Sequence, residues 1–171
     1  PFPKGSVGIR FSNVRFSYPE RGTLVERLNL ELPAGGVTAL VGPTGAGKST
    51  LANLALRYYE VGEGVVSVGG VNLQDFALSD LRANIGIVSQ DPFLFDASVR
   101  ENLLLARPNA SEEDLTKALS ASCALDFVNS LPGKLDTMIG ERGIRLSMGE
   151  KQRLTIARVL LKNPPIVILD E

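Results

Sequence analysis

Two short segments of the sequence contain residues that could bind phosphate and a metal ion. The first is residues 42–50, which read GPTGAGKST and fit the pattern GxxxxGK[ST]. Its glycines let backbone amides approach a phosphate without a Cβ in between, and a helix that follows directs its positive end to the same place. In this pattern Lys48 would hold the β- and γ-phosphates of a nucleotide, and the Ser49 hydroxyl would be a ligand of Mg²⁺. The segment indicates a P-loop nucleoside triphosphatase without saying which kind.

The second segment is residues 166–171, which read IVILDE, four apolar residues followed by two acids. In open α/β sheets, ligands bind at the carboxyl ends of the strands, where these acids would stand. Asp170 would hold the magnesium ion through water, and Glu171 would polarise the attacking water as a general base. A strand that simply ends in solvated acids is the alternative, and it would be favoured if the chain had no phosphate loop.

A buried strand and a helix must flank the phosphate loop to position it. Residues 37–41, VTALV, are a short and wholly apolar run that predicts a strand buried on both faces of a parallel sheet. After the loop, helical spacing of apolar residues predicts a helix with Leu51, Leu54, Ala55 and Tyr58 on one face. Residues 7–32 alternate apolar and polar residues around a turn at 19–22, which predicts an antiparallel hairpin with Val14, Phe16 and Tyr18 on one face.

The remainder of the chain changes from strand to helix patterns and back. Strands are predicted at 64–73 and 85–89, and the pattern from 98 to 162 is mainly helical. Ser111, followed by three acids, predicts a helix start because its hydroxyl can cap free backbone amides. Two prolines after residue 162 end the last helix, and residues 166–169 are expected to return as a buried strand.

Residues 147–150 carry a second helix-start signal. Ser147 and Glu150 form an S-x-x-E capping box, after which Leu154, Ala157 and Leu161 are expected to face inward. The opposite face is expected to be a solvated surface that carries Lys151, Arg158 and Lys162. A capped helix N-terminus with a Gly149 amide is also an anion site, and both interpretations can hold together.

The composition excludes several classes of function. The 171 residues are 44% hydrophobic with a formal net charge of −1, which indicates an ordinary globular core and gives no support for nucleic acid as a partner. The sequence has no histidine, which excludes His-based catalysis and His-ligated metal sites, and its sole cysteine, Cys123, excludes an intrachain disulfide. No apolar run approaches the roughly 20 residues that cross a bilayer, so a membrane would be reached through another segment.

Residues 146–150, LSMGE, followed by KQRLTIARVLLKNP, resemble the signature LSGGQ of the ATP-binding cassette (ABC) ATPases. The resemblance extends over nearly the whole chain. It implies an α/β fold, with a P-loop NTPase (RecA/F1-like) parallel sheet core, an N-terminal antiparallel β subdomain and an inserted α-helical subdomain. The corresponding boundaries are about 1–90 for the β subdomain and P-loop core, 91–163 for the helical subdomain, and 164–171 for the return to the core at the Walker B motif.

The resemblance also implies roles for individual residues. Tyr18 looks like the A-loop aromatic that stacks on adenine, although without the family a core aromatic of the hairpin would be the favoured interpretation. Gln90 looks like the Q-loop glutamine, which senses magnesium and water and couples to the transport domain. Ser147 and Gly149 would contact the γ-phosphate of ATP held by another subunit. The ATP-binding set of the loop is Gly42, Pro43, Thr44, Gly45, Ala46, Gly47, Lys48, Ser49 and Thr50.

Two stretches resemble the exporter branch of the family. Residues 137–143, TMIGERG, are similar to the exporter sequence TEVGERG, and residues 91–103, DPFLFDASVRENL, resemble the exporter version of the segment after the Q-loop. The resemblance therefore implies a nucleotide-binding domain of a multidrug or lipid exporter. Such a domain would lie at the cytoplasmic face of a membrane, the bacterial inner membrane, joined to a transmembrane domain and paired head to tail with a second nucleotide-binding domain.

The sequence departs from the family pattern at three positions. Met148 replaces the first glycine of the signature, Glu150 replaces its glutamine, and Met138 replaces the glutamate of TEVGERG. Because a bulky side chain at 148 would stand where backbone approaches a nucleotide, one hypothesis is a chain that binds ATP while a different partner hydrolyses it. A soluble ABC ATPase acting on DNA or ribosomes is a further alternative. We also expect the chain to be incomplete and unable to turn over ATP alone, because it ends before the D-loop and switch histidine of the family.

Overall fold

The computed structural model describes residues 2–19, 22–140 and 146–170. They divide into two compact units, Pro1–Ile85 and Gly86–Glu171. Within these described ranges, no helix is both long enough and apolar enough to cross a membrane.

The first unit is built around an antiparallel sheet. Its strands are β1 (Ile9–Ser17), β2 (Thr23–Leu32), β3 (Glu63–Val68) and β4 (Val71–Asn72), in the order β2-β1-β3-β4. β1 pairs antiparallel with β2 on one side and with β3 on the other. Ile9 and Phe11 are buried, and so are Val14 and Phe16, because alternate side chains of a strand point to the same face. The alternation is interrupted between Phe11 and Val14, where the pairing with β2 shifts register. The predicted hairpin is confirmed, although residues 20 and 21 of its turn lie outside the described ranges.

Two helices complete this unit. They are α1 (Lys48–Ala55) and α2 (Leu78–Ala83), with a 3₁₀ turn at Leu73–Asp75 before α2. α1 confirms the helix expected after the phosphate loop, and its Leu54 and Ala55 are buried as predicted. Tyr58 lies beyond the end of α1 and half of its surface is exposed, so the predicted apolar face is shorter than the spacing indicated.

Residues 37–41 do not form the predicted buried strand. They have no regular secondary structure, and Val37 and Val41 are almost fully exposed. An apolar run becomes a buried strand only where other strands pair with its edges and other elements cover its faces. Within the described part of the first unit, the four sheet strands pair with one another and none pairs with residues 37–41.

The second unit is mainly helical, as the pattern from 98 to 162 predicts. Its buried side chains form one apolar core that includes Leu103, Leu115 and Leu154. The helices contributing to it are α3 (Val99–Leu104), α4 (Glu112–Ala121), α5 (Leu125–Ser130) and α6 (Met148–Lys162), with a 3₁₀ turn at Lys134–Asp136.

A pair of short strands carries the other predicted catalytic segment. They are β5 (Ile85–Val88) and β6 (Ile166–Leu169). The amide of Asp170 donates to the carbonyl of Val88 at 2.9 Å, and since this bond joins the carboxyl ends of both strands, they run parallel. β6 is only partly the buried strand that its four apolar residues predict, because Val167 is 50% and Leu169 72% exposed.

The predicted solvated face of α6 is wrong in one respect. Lys151, Arg158 and Lys162 are all half-buried rather than exposed. Burial lowers the pKa of Arg158 to about 10 and also lowers the pKa of Lys162. Helical spacing places these residues on one side of the helix, but it carries no information on what packs against that side.

Candidate nucleotide-binding site

The phosphate loop takes a backbone conformation that only glycine adopts easily. Gly45 and Gly47 have φ values of 85° and 91°, in the left-handed region where a Cβ meets steric strain. A Cβ built on Gly45 would have no neighbour within 4 Å, so glycine is needed there for the backbone angle and not for packing. The Ala46 amide donates to the Pro43 carbonyl at 3.1 Å and closes the turn between them.

The loop runs directly into the N-terminus of α1. Gly47 is the residue that precedes the helix, and as a glycine it has no side chain that could cap the first amides. The first turn of α1 also carries no acidic residue. The Nζ of Lys48 donates to the carbonyl oxygens of Gly42 at 2.9 Å and Pro43 at 3.1 Å, so its ammonium lies across the loop. The loop thus places a positive charge beside the positive end of a helix, an arrangement that suits polyphosphate.

Tyr18 lies against the same loop. Its hydroxyl is 3.1 Å from the Oγ1 of Thr50, a buried residue of α1. Its half-buried ring also meets Phe16 and Tyr59 edge to face, with centroids 4.9 Å and 5.1 Å apart. Tyr18 therefore belongs to an aromatic cluster and also contacts the last residue of the loop, while its stacking on adenine stays a prediction.

The predicted metal and water site in the second unit begins at the paired ends of β5 and β6. Asp170 is bonded through its amide to Val88, and Gln90 follows Val88 by two residues, so both side chains start from the same sheet edge. Carboxylate, amide and hydroxyl oxygens are hard donors of the kind that Mg²⁺ accepts, so the set of Ser49, Gln90 and Asp170 fits this ion.

Among the described residues, no three His, Cys, Asp or Glu side chains gather into a metal-binding group. Mg²⁺ commonly uses only one or two carboxylates together with phosphate oxygens. Glu171 lies outside the described ranges.

The N-terminus of α6 carries the predicted capping box. The Ser147 amide and hydroxyl both donate to Oε2 of Glu150, at 2.8 Å and 2.7 Å, and the Glu150 amide donates back to the Ser147 hydroxyl. A Cβ on Gly149 would meet nothing within 4 Å, and the Met148 side chain is 59% exposed. The packing of the described chain therefore gives no reason for a glycine at 149. Residues 141–145, which include most of the GERG segment, lie outside the described ranges, and Met138 is half-exposed.

The Glu150 cap predicts an acid-dependent loss of stability. The hydrogen bonds from the Ser147 hydroxyl and amide lower the pKa of Glu150 below its ordinary value of 4.5. A carboxylate whose pKa is lower in the folded state stabilises that state above its unfolded pKa, and this stabilisation is lost as pH falls through the lower value. We expect the difference in unfolding midpoint between the wild-type protein and Glu150→Gln to shrink between pH 7 and pH 3.5, measured by circular dichroism. Glu26→Gln, at an exposed position, is the control. A Glu150→Gln difference that stays constant over this range would contradict the prediction.

Some functional candidates escaped the sequence analysis. The S-x-x-E pattern at Ser98 and Glu101 forms a further capping box, which the same reasoning could have found. The buried Asn102 and the half-buried Arg158 form a hydrogen-bonded cluster with no local pattern to reveal it, since they are far apart in the sequence.

The sequence of this chain matches a known protein family and several known proteins. Residues 25–171 match the family model described as ABC transporter. The ABC transporter ATP-binding protein YwjA of Bacillus subtilis is 49% identical over 163 residues, which are 95% of this chain and 28% of that protein. A Staphylococcus aureus protein, named as a candidate multidrug export ATP-binding/permease protein, is 46% identical over 164 residues, again 95% of this chain and 28% of that protein.

A solved structure extends the similarity to three dimensions. It is the structure of a bacterial Atm1-family ABC exporter with ATP bound, with a TM-score of 0.94 and 40% sequence identity. The match covers 99% of this chain and 30% of that chain. This chain therefore spans less than a third of the length of the proteins that it resembles.

Proposed function

Since this chain belongs to the ABC transporter family as an ATP-binding domain of the exporter type, we propose that it binds MgATP and hydrolyses it to drive export across a membrane. The predicted family and fold class are confirmed by the same comparisons. The proposal concerns the complete protein, because the chain spans only 28–30% of its relatives.

ATP is the proposed substrate of the phosphate loop. The observation that supports this assignment is the N-terminus of α1, reached through two glycines with positive φ and flanked by the Lys48 ammonium. Lys48 would exchange its bonds to loop carbonyls for bonds to phosphate oxygens, which are charge-assisted and stronger. The whole loop, residues 42–50, would surround the phosphates. Tyr18 would stack on the adenine while its hydroxyl stays near Thr50.

The hydrolytic step is proposed for the acidic segment after β6. Bound Mg²⁺ would neutralise charge on the phosphate oxygens, and Ser49, Gln90 and Asp170 are the residues proposed to hold it directly or through water. Glu171 would accept a proton from the attacking water, and Gln90 would help to orient that water. The half-buried Asp170 is anchored through its backbone to β5, which supports a fixed position for its carboxylate.

The proposed partners are a second nucleotide-binding domain and a transmembrane domain. Ser147 and Gly149, at the start of α6, would contact ATP held by the other nucleotide-binding domain. The open space beside Gly149 supports this role, because the described chain does not need glycine there and an approaching partner would. The domain would then act at the cytoplasmic face of a membrane, and the name of the S. aureus relative suggests drug-like cargo.

Phosphate release by the complete protein in lipid vesicles tests the proposal. The rate should rise and saturate with ATP, and it should vanish when Mg²⁺ is chelated by EDTA, because both proposed half-sites act on the magnesium nucleotide. A protein that binds no ATP under these conditions would refute the assignment. If the protein binds ATP without releasing phosphate, the proposed binding stands and the proposed hydrolysis is refuted.

The exposed Met148 side chain supports one second candidate. A methionine at the start of α6 stands where a partner's nucleotide would approach, which favours an asymmetric pair in which one site binds ATP and the other hydrolyses it. Single-turnover assays with the catalytic glutamate disabled in each partner in turn separate the two candidates. A homodimer that hydrolyses ATP at both sites would exclude the asymmetric pair.

A further inference from the structure

Arg158 joins α6 to the segment that follows Gln90. Its guanidinium donates from Nε to the carbonyl of Asn102 at 2.8 Å, and from Nη1 to the carbonyl of Phe93 at 2.6 Å. Nη2 donates to the side-chain Oδ1 of Asn102. The same guanidinium lies over the ring of Phe95, 5.9 Å from its centroid. One side chain thus bonds simultaneously to the segment at 93 and to α3.

Asn102 completes the attachment of this segment. It is 1% exposed, and its Oδ1 accepts the Phe95 amide at 2.9 Å while its Nδ2 donates to the Phe95 carbonyl at 3.0 Å. A third bond runs from Nδ2 to the carbonyl of Ser98 at 2.9 Å. The segment is therefore held at Phe93 by Arg158 and at Phe95 by Asn102, and Arg158 also bonds to Asn102.

Burying the charge of Arg158 costs free energy, which indicates that this side chain does more than fill space. Within the described ranges, the hydrogen bonds of Arg158 all go to carbonyl and amide oxygens, with no carboxylate among them. A half-buried charge held only by dipoles is costly, and desolvation lowers the pKa of this arginine to about 10, which leaves it protonated at neutral pH. The guanidinium fork suits this task because it can reach several acceptors in fixed directions, whereas lysine offers a single charged atom.

We propose that Arg158 is a positioning residue that ties residues 91–95 to α6, so that a displacement of α6 also displaces Gln90. The inference rests on the proposed function, since it concerns the roles assigned there to Gln90 and to Ser147. Ser147 caps the N-terminus of α6, and Arg158 lies roughly three turns further along the same helix. Because a helix of this length is stiff, contact of ATP with its N-terminus would be transmitted to the segment that begins at Gln90.

The test uses Arg158→Lys in the complete protein, with Arg153→Lys as the matched control. Arg153 is a half-buried arginine of the same helix, and its guanidinium lies over the ring of Phe127. In Arg158→Lys we expect kcat for ATP to fall about 10-fold because Gln90 is misplaced, with KM for ATP changed less than about twofold. Amide hydrogen exchange in residues 91–97 should accelerate about 10-fold, because lysine cannot hold both Phe93 and Asn102. Arg153→Lys should change neither.

The outcomes separate this inference from the proposed function. Unchanged kcat and unchanged exchange in Arg158→Lys would overturn the link, and so would a rise in KM with kcat retained. If the wild-type protein hydrolyses no ATP, the proposed function fails, while the exchange measurement still tests the attachment of residues 91–95 by itself.

Asn102→Ser is a second variant that tests the same attachment if Arg158→Lys does not fold. It removes the side-chain bonds to Phe95 and leaves the bonds from Arg158 to the backbone carbonyls of residues 93 and 102. We expect its kcat for ATP to fall about 3-fold while its KM for ATP stays nearly unchanged. Unfolding of both variants would assign the cluster a structural role and overturn the proposal.

Discussion

Replacement of Glu171 by glutamine is expected to slow ATP turnover by at least about 10²-fold while leaving ATP binding intact. Glutamine has nearly the shape of glutamate but cannot accept a proton from water, so only the step that needs a base is lost. The expectation follows from the place of Glu171 directly after Asp170, at the end of a strand whose neighbour leads to Gln90. Phosphate release in the steady state, together with calorimetric ATP binding, measures the two effects separately.

Glu31→Gln is the control for this substitution. Glu31 lies on β2 in the first unit, where its exposed carboxylate pairs with Arg10 at 2.9 Å. Its replacement should leave turnover within about twofold of the wild type, since exposed ion pairs contribute little. Equal turnover in the wild-type protein and Glu171→Gln would remove Glu171 from the role of general base.

Replacement of Lys48 by alanine is expected to weaken ATP binding by about 10²-fold or more. The Nζ of Lys48 lies within 3.1 Å of two loop carbonyls, so the ammonium is already held above the turn that would receive the phosphates. Each hydrogen bond from a charged group contributes about 1.5–3 kcal/mol, and the loss of one or two such bonds to phosphate gives this reduction. Calorimetry with ATP and Mg²⁺ measures it.

Lys117→Ala is the matched control for Lys48. Lys117 is an exposed lysine of α4 that pairs with Glu113 at 2.6 Å, so its removal takes away a positive charge far along the sequence from the loop. ATP affinity should then stay within about twofold of the wild type. Comparable affinities in Lys48→Ala and the wild type would refute the loop as the phosphate site, and with it the proposed function.

Several parts of the fold could be predicted because their causes lie within a few residues. The helix start at Ser111 and the capping box at Ser147 form as expected, since a side chain at the start of a helix meets amides only two or three positions away. The hairpin of β1 and β2 forms because alternation and a turn signal are both local. The helix α1, which starts at Lys48, was also predictable, because the helical spacing of apolar residues after the loop is a local pattern.

Predictions of burial were less successful, because burial depends on what a segment meets. Residues 37–41 and 166–169 are both apolar throughout, yet Val37 and Val41 are almost fully exposed, and so is much of Leu169. The pattern shows that these segments can be buried, but not which strands pair with them. The expected solvated face of α6 failed for the related reason that a long charged side chain can extend into a protein interior.

The backbone conformation of residues 42–50 was determined by the sequence alone, because the positive φ angles of Gly45 and Gly47, the helix start and the lysine all arise within nine consecutive residues. Only the tertiary structure decided that Tyr18 would contact Thr50 and that Arg158 would bond to Phe93 and Asn102. These contacts join residues 32 to 65 positions apart. The packing of strands and helices brings such distant residues together, so the contacts cannot be predicted from spacing along the chain.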